Sequence, residues 1–291
     1  MIYHCRLVRG RLWRSSKFTV MSLEKFRLTS QNCCDCQIRY RAVCAHCEND
    51  ELAQLENIKF YRSFEPGQTV VWAGDRMDFV ASVVSGVATL NQTMEDGRRQ
   101  MVGLLLPSDF VGRPGRLTAT HDVTAVTDLV LCCFRKAPFE RLIRDVPHLG
   151  SRLLEMTLDE LDASRQWMLV LGRKAAREKI ASLLAIVAQR MAALAGDRTP
   201  DAGMAGAGMA GGPASGPAEP GLLSFDLPLT REAMADYLGL TLETVSRQMT
   251  ALKTDGLIRL EGARRIVIPD LPRLVRAAGD DADGGMVDQT R

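Results

Sequence analysis

The run LTREAMADYLGLTLETVSRQMTALKTDGLIRL, from Leu229 to Leu260, has the pattern of a helix-turn-helix. Arg231 to Leu238 is the first predicted helix. Gly239 supplies the turn, because glycine adopts a positive φ at the lowest cost. Thr241 is the predicted N-cap of the second helix. The apolar residues of that helix recur at i, i+4 and i+7 and are expected to pack inward: Val245, Met249 and Leu252.

A polar face near the start of the second helix is the candidate for reading DNA. Glu243, Ser246 and Arg247 stand at i, i+3 and i+4, where a recognition helix presents side chains to the major groove. Arginine can donate two hydrogen bonds to guanine O6 and N7, and glutamate can accept one from cytosine N4. The helix pattern alone leaves an alternative open, which is an ordinary αα-hairpin with a solvated polar face.

The stretch GLIRLEGARRIVIPD, which follows the two helices, favours the DNA-binding interpretation. Two short strands around Gly262 would form a wing that places Arg264 and Arg265 near phosphate groups. The candidate DNA-binding residues are therefore Thr241, Glu243, Thr244, Ser246, Arg247, Arg264 and Arg265.

Five cysteines fall within fifteen residues of the run NCCDCQIRYRAVCAHC: Cys33, Cys34, Cys36, Cys44 and Cys47. Thiols this dense are either oxidised to disulfides or held by a metal. Eight cysteines in 291 residues do not make a disulfide scaffold, which is a device of small secreted domains. Four thiolates complete a [4Fe–4S] site, and the spacing C-x2-C-x7-C-x2-C also provides four ligands for a tetrahedral zinc ion. The cysteines alone leave both metals open.

Composition limits the classes of function. A chain of 291 residues with 46% apolar content is long enough for two domains, each with its own core. The net charge of +2 does not by itself indicate nucleic-acid binding, so any DNA contact must come from a local surface. The sequence predicts neither a transmembrane helix nor a secretory signal, and a cytoplasmic location is expected. No nucleotide fingerprint, paired acid and base, or partnered nucleophile is found, so an enzyme, including a redox enzyme, is not expected.

The hydrophobic pattern divides the chain into a β part and a helical part. Between Lys59 and Phe134, short apolar segments and turn residues predict an antiparallel barrel or roll. Asp96-Gly97 is a hairpin turn signal. The segments expected to form strands are Phe79–Leu90, Gln100–Leu106 and Thr124–Phe134.

From Pro147 the apolar period becomes helical. Four residues at spacings of 4, 3 and 7 form a seam like the edge of a coiled coil and predict a dimerisation helix: Leu154, Leu158, Leu161 and Met168. A second helix is predicted from Ala175 to Leu194. The predicted organisation begins with a disordered basic extension at 1–29, with Met21 as an alternative start. A cysteine segment and roll at 30–146 and a dimerisation helix at 147–172 follow. The chain then forms a winged helix-turn-helix domain at 173–278, with a flexible Gly/Ala/Pro insertion at 196–221, and ends in a disordered tail at 279–291.

The segment DYLGLTLETVSRQ closely resembles the recognition segment of the Crp/Fnr regulators, and its E-x-x-S-R arrangement resembles the Fnr branch. The segments VVSGVATLNQTMEDGR, LLLPSDFVG and LDELDASRQWMLVLGRK resemble the FnrL/FnrN-type anaerobic regulators of alphaproteobacteria. The resemblance covers roughly residues 30 to 275. It implies an α+β fold with a cyclic-nucleotide-binding-like antiparallel β-roll, a long dimerisation helix and a winged helix-turn-helix. It also implies an oxygen-responsive homodimer that binds double-stranded DNA at TTGAT-type inverted repeats and works with RNA polymerase.

The resemblance further implies a [4Fe–4S] cluster held by three N-terminal cysteines and one on the roll. The matching positions are Cys33, Cys36, Cys44 and Cys132, and the alternates beside or near them are Cys34, Cys47 and Cys133. The resemblance favours the cluster over zinc, and a zinc-stabilised DNA-binding regulator without redox sensing remains the alternative. A cyclic nucleotide is not expected, because VGRPGRLTATHDVTAV lacks the Gly-Glu and Arg-Ser-Ala pattern of relatives that bind one. Arg113 and Arg116 are expected in a solvated loop of that stretch.

Overall fold

The computed structural model describes residues 32–196, 222–262 and 264–279. The predicted extension at 1–29 lies outside these residues, and so do nearly all of the predicted insertion at 196–221 and tail at 279–291. The described residues form an antiparallel β-roll, long helices and a C-terminal helix-turn-helix with a small sheet. This is the α+β architecture that the sequence predicts.

The N-terminal half is a β-roll flanked by short helices. A 3-10 turn, Cys33–Asp35, precedes helix α1 (Asn49–Ile58), and helix α2 (Lys136–Asp145) follows the last strand. The strands of the roll are β1 (Lys59–Phe64), β2 (Thr69–Val71), β3 (Phe79–Ser85), β4 (Ala88–Thr93), β5 (Arg99–Leu105), β6 (Phe110–Val111), β7 (Asp122–Ala125) and β8 (Leu129–Arg135). They pair into two antiparallel four-stranded sheets, in the orders β1-β8-β3-β6 and β2-β7-β4-β5.

Strand β8 is buried on both faces, which explains why its sequence, LVLCCFR, is apolar without alternation. Successive side chains of a strand point to opposite faces. One face packs into the interior of the roll through Leu129, Leu131 and Cys133. The other face packs against the N-terminal segment and the helices through Val130, Cys132 and Phe134. The two adjacent cysteines therefore belong to different cores.

Two of the predicted strands are divided by tight turns, so the prediction of single strands is wrong there. Phe79–Leu90 contains both β3 and β4, and Thr124–Phe134 runs from β7 into β8. Gly86 lies between β3 and β4 with a φ of 83°, and a Cβ there would lie 2.0 Å from the carbonyl oxygen of Asp128 in the other turn. The turns therefore pack against each other, and only glycine allows that approach.

The hairpin predicted at Asp96-Gly97 is confirmed between β4 and β5. Gly97 has a φ of 85°, and the amide of Met94 donates to the carbonyl of Arg98 at 2.8 Å.

Helix α3 (Pro147–Arg173) is 27 residues long and begins with a proline, whose missing N–H is not needed at a helix start. Near its N-terminus, Leu149, Leu153 and Met156 pack into the same core as Cys132. The predicted seam residues on another face are between 45% and 72% exposed in the single chain: Leu154, Leu158, Leu161 and Met168.

The C-terminal half combines helices with a three-stranded sheet. Its elements are α4 (Ala176–Gly196), β9 (Leu223–Asp226), α5 (Arg231–Leu238), α6 (Leu242–Thr254), β10 (Arg259–Glu261), β11 (Arg265–Ile268) and α7 (Leu271–Ala277). The strand order is β10-β11-β9, so the predicted two-stranded wing has a third strand. Strand β9 was not predicted, because four residues beside a low-complexity stretch carry no periodic signal.

The two halves meet through apolar, polar and aromatic contacts, and Met101 of β5 is buried in the core of the C-terminal half. Arg190 on α4 forms an ion pair with Asp109 in the loop between β5 and β6. The ring of Trp167 on α3 lies 4.7 Å, centroid to centroid, from that of Tyr237 on α5. Burial raises the pKa of the nearby Glu160 carboxyl, and the charge of Asp109 raises it further while Arg190 lowers it. These contacts join the roll, the long helix and the helix-turn-helix.

Replacing Arg190 by methionine should lower the free energy of unfolding by about 2–3 kcal/mol, because the largely buried carboxylate of Asp109 would lose the cation paired with it. Arg177 on the same helix is the matched control. It pairs with the half-exposed Asp255, so Arg177→Met should cost less than about 1 kcal/mol. Urea unfolding at neutral pH measures both. Equal losses would mean that the Arg190 pair stabilises no more than a surface pair.

Candidate functional site

The predicted recognition helix, α6, begins where local capping requires it to begin. Helix α5 ends at Gly239, which has a φ of 62°. The Thr241 hydroxyl accepts a hydrogen bond from the amide of Thr244 at 3.2 Å, which confirms the predicted N-cap. The predicted inward face is also confirmed, since the three apolar residues are at most 1% exposed: Val245, Met249 and Leu252.

The opposite face of α6 presents its polar side chains to solvent. Glu243, Ser246 and Arg247 are all exposed within the first two turns. The hydroxyl oxygens of Thr241 and Thr244 lie 2.9 Å apart at the cap. The two threonines therefore set the start and direction of the helix, and the three exposed side chains point away from its buried face.

The wing turns at Gly262, which has a φ of 69°. Arg264 is exposed beside this turn. Arg265 begins strand β11, and its guanidinium donates to Ser224 Oγ at 3.0 Å and lies 3.6 Å from Glu261 Oε2. Arg265 thus connects strands of the wing, while Arg264 is the arginine placed at its tip.

The cysteine segment, Cys33–Cys47, is held in its turns by one arginine. The guanidinium of Arg39 donates to the carbonyl oxygens of Cys44 at 2.5 Å, Ala45 at 2.6 Å and Cys47 at 2.6 Å. The side-chain amide of Gln37 donates to the carbonyl of Val84 at 2.9 Å and attaches the segment to the roll. Sequence reasoning missed both residues, because their partners are backbone carbonyls that no side-chain pattern reveals.

The cysteines differ in the direction that their side chains take. Cys33, Cys44, Cys47 and Cys132 are buried in one core, with the half-buried Cys36 packed against it. Cys133 faces the roll interior, and Cys34 is exposed, with its sulfur 4.0 Å from Asn49 Oδ1. Of the three predicted alternates, only Cys47 shares a core with the predicted ligands. We call these five residues the cysteine core: Cys33, Cys36, Cys44, Cys47 and Cys132.

The thiols of the cysteine core differ in the causes that raise their pKa values. Burial raises the pKa of the Cys44 thiol to about 12 and that of Cys132 well above the usual value of a thiol. The charges that raise the pKa of Cys132 next are those of Cys36, Cys44 and Cys33, in that order. Burial also raises the pKa of Cys47 to about 11, where the next cause is the Glu51 carboxylate. Cys132 on the roll therefore shares its buried surroundings with Cys33 and Cys44, and Cys36 packs against the same core.

The cysteine segment is attached directly to helix α3. Arg152 on α3 donates to the carbonyl of Arg41 at 2.8 Å. His148 Nδ1 lies 3.0 Å from Glu51 Oε1 on α1, and His46 Nδ1 lies 3.8 Å from Glu155 Oε2. A rearrangement of the segment would therefore act on the first turns of the long helix.

Both halves match known domain families. Residues 61–146 match the cyclic nucleotide-binding domain, and residues 178–277 match the Crp-like helix-turn-helix domain. The chain is 62% identical over 266 residues to the transcriptional activator protein FnrL of Cereibacter sphaeroides, an alignment that covers 91% of this chain and 99% of that protein. The chain belongs to the Crp/Fnr family. It is a transcriptional activator of the FnrL/FixK/Fnr type.

Other members of the Crp/Fnr family are also similar. The nitrogen fixation regulation protein FixK of Bradyrhizobium diazoefficiens is 36% identical over 232 residues, which cover 78% of this chain and 86% of that protein. The solved structure of FixK2 from Bradyrhizobium japonicum has a TM-score of 0.61 and 27% identity, and the match covers 76% of this chain and 97% of that one. Within residues 32–196, 222–262 and 264–279 of this Crp/Fnr protein, no helix has the length and apolar character needed to cross a membrane.

The exposed face of α6 and the tip of the wing should contribute differently to DNA binding. Arg247→Ala should cost about 1–3 kcal/mol on the specific site and relax the preference at one base pair, because two hydrogen bonds to one base are lost. Arg264→Ala should weaken binding to all sequences alike and reduce the salt slope by about one, as expected for a lost phosphate contact. Titrations with half-sites substituted at each position, over a range of salt concentrations, distinguish the two. A uniform loss for Arg247→Ala would place that side chain on the backbone of DNA.

Proposed function

We propose that this Crp/Fnr protein is an oxygen-responsive transcription regulator whose cysteine core holds a [4Fe–4S] cluster. The proposed dimer binds a TTGAT-type inverted repeat, works with RNA polymerase, and activates or represses promoters. One observation carries the proposal: Cys33 and Cys44 of the N-terminal segment and Cys132 of the roll are buried in one core, and Cys36 packs against it.

Both candidate metals require thiolates, and the cysteine core supplies five thiols. In a [4Fe–4S] cluster each thiolate binds a different iron, so the four sulfurs surround a volume larger than one atom. A zinc site requires four ligands at about 2.3 Å from one ion. We propose Cys33, Cys36, Cys44 and Cys132 as the ligands of a cluster, because these are the positions that the resemblance to the Fnr-type regulators implies.

A zinc-stabilised regulator is the second candidate, because Cys47 is buried in the same core and completes the C-x2-C-x7-C-x2-C spacing. Zinc held by Cys33, Cys36, Cys44 and Cys47 would not need the roll. The dependence of metal binding on Cys132 therefore separates the two candidates.

The protein residues would transmit the state of the site to DNA through helix α3. A bound cluster would be the group that oxygen alters. The contacts of the chain would connect the cysteine segment to helix α3. Arg152 joins the cysteine segment to α3, and the exposed seam of α3 is the surface on which a second copy can pack. Pairing of two chains along α3 would present two α6 helices to successive major grooves.

We do not propose a cyclic nucleotide as the effector, although residues 61–146 match that domain family. Arg113 and Arg116 are both exposed in the loop after β6, so neither offers a buried cation for a phosphate.

Cys36→Ser should abolish both cluster binding and tight anaerobic DNA binding, because a hydroxyl is a poor substitute for a thiolate on iron. Cys34→Ser is the matched control, since Cys34 is two positions away and exposed. Iron and acid-labile sulfide per chain, visible absorbance and DNA affinity should all stay normal in the control. Normal iron and sulfide in Cys36→Ser would remove that residue from the ligand set, and a colourless, zinc-containing wild-type protein would favour the second candidate.

Arg152→Met should separate cluster binding from the DNA response. The variant should retain its iron and sulfide, because the hydrogen bonds of Arg152 go to the carbonyl of Arg41 and to Glu155 Oε2. Its anaerobic DNA affinity should fall about tenfold, as expected when one charge-assisted hydrogen bond at this junction is lost. Arg144, exposed at the end of α2, provides the control substitution Arg144→Met. Unchanged DNA affinity in Arg152→Met would show that this hydrogen bond does not couple the cysteine segment to DNA binding.

A further inference from the structure

Lys59 places an ammonium group against the cysteine core. Its Nζ lies 3.4 Å from Cys33 Sγ and 3.0 Å from Glu56 Oε1. The side chain is only 10% exposed. A lysine is rarely buried to this extent without a partner of opposite charge, and Glu56 is that partner. The Cys33 sulfur is a second contact of the same ammonium.

Local structure fixes the direction of the Lys59 side chain. Helix α1 ends at Ile58 and strand β1 begins at Lys59 without a connecting loop. Glu56, in the last turn of α1, forms an i,i+3 ion pair with the ammonium and holds it from one side. Residues 59 and 61 share one face of β1. Tyr61 on that face is paired in register with Cys132, so the face is directed at the cysteine core.

Arg39 and Lys59 have different relations to the cysteines. The guanidinium of Arg39 donates to three backbone carbonyls, which orders the cysteine segment. The ammonium of Lys59 contacts a sulfur, which is the atom that a metal group would bind. A carbonyl contact supports the shape of the segment, whereas a sulfur contact changes the electron density on the ligand.

We infer that Lys59 is a positioning residue that donates a hydrogen bond to the Cys33 sulfur when the site is loaded and thereby slows oxidation of the cluster. The inference rests on the proposed function. Hydrogen bonds to the sulfurs and the net charge of the surroundings are two of the factors that set the potential of an iron–sulfur cluster. A cation at a ligand sulfur makes the removal of an electron less favourable. In the loaded protein, dioxygen would take one electron from the bound group and be reduced to superoxide, and no covalent bond of Lys59 would change.

Three variants test the role of Lys59. Lys59→Met removes the charge and the donor but keeps an apolar stem, and Lys59→Arg keeps both. Arg62→Met is the matched control, because Arg62 lies on the opposite face of the same strand, with its guanidinium 5.0 Å from the centre of the Phe79 ring. Each protein is prepared without oxygen, its iron and sulfide are measured, and the visible absorbance is then followed in air-saturated buffer.

All three variants should contain iron and sulfide in the wild-type ratio. Lys59→Met should lose its absorbance about threefold to tenfold faster than wild type, since one charge-assisted hydrogen bond to the ligand is lost. Lys59→Arg and Arg62→Met should lose it at the wild-type rate.

An unchanged rate in Lys59→Met overturns the inference. Failure of Lys59→Met alone to assemble a cluster also overturns it, because Lys59 would then be required for the fold of the site. Absence of iron and sulfide in the wild-type protein overturns the proposed function, and the inference with it.

Discussion

The burial of strand β8 on both faces is the constraint on which the other parts of the structure depend. A strand covered on one side only would leave Val130, Cys132 and Phe134 in water, and the chain covers them with the cysteine segment, α1 and the first turns of α3. The stacked rings of Phe134 and Phe139, 5.3 Å apart, bring α2 into the same layer. The cysteine segment therefore forms part of the core on the outer face of β8, although it contributes no strand to either sheet.

The connections between the parts of the molecule combine apolar packing with directional contacts. Leu149, Leu153 and Met156 of α3 share an apolar core with the cysteine segment, and Arg152 adds its hydrogen bond to the carbonyl of Arg41. The C-terminal half packs on Met101 of β5 and forms the Arg190–Asp109 pair, and its Tyr237 ring lies against Trp167 of α3. The polar contacts can be exchanged for others at modest cost in free energy, while the apolar packing holds the parts together.

The features that could be predicted from the sequence are those fixed by neighbours along the chain. The positive φ of Gly239, the Thr241 cap and the inward face of α6 are local, and the structure confirms each of them. The division of Phe79–Leu90 at Gly86 could not be predicted, because it depends on contact with Asp128, 42 positions away by the residue numbers. The roles of Arg39, Lys59 and Arg152 could not be predicted either, since each depends on where a distant carbonyl or sulfur lies. Cys132 and Cys133 face opposite ways on β8, and only the packing of the roll decides which of them faces the N-terminal cysteines.

The cysteine core is divided between two parts of the chain that are far apart in sequence. Cys33, Cys36 and Cys44 emerge early in synthesis, while Cys132 follows 88 positions after Cys44 and reaches the others only when β8 has entered the sheet between β1 and β3. A group that requires all four thiols would therefore bind the folded roll and not the nascent chain. Mass action would then make each loaded molecule more resistant to unfolding and proteolysis than an empty one. The lifetime of the protein would then depend on the supply of the group that it binds.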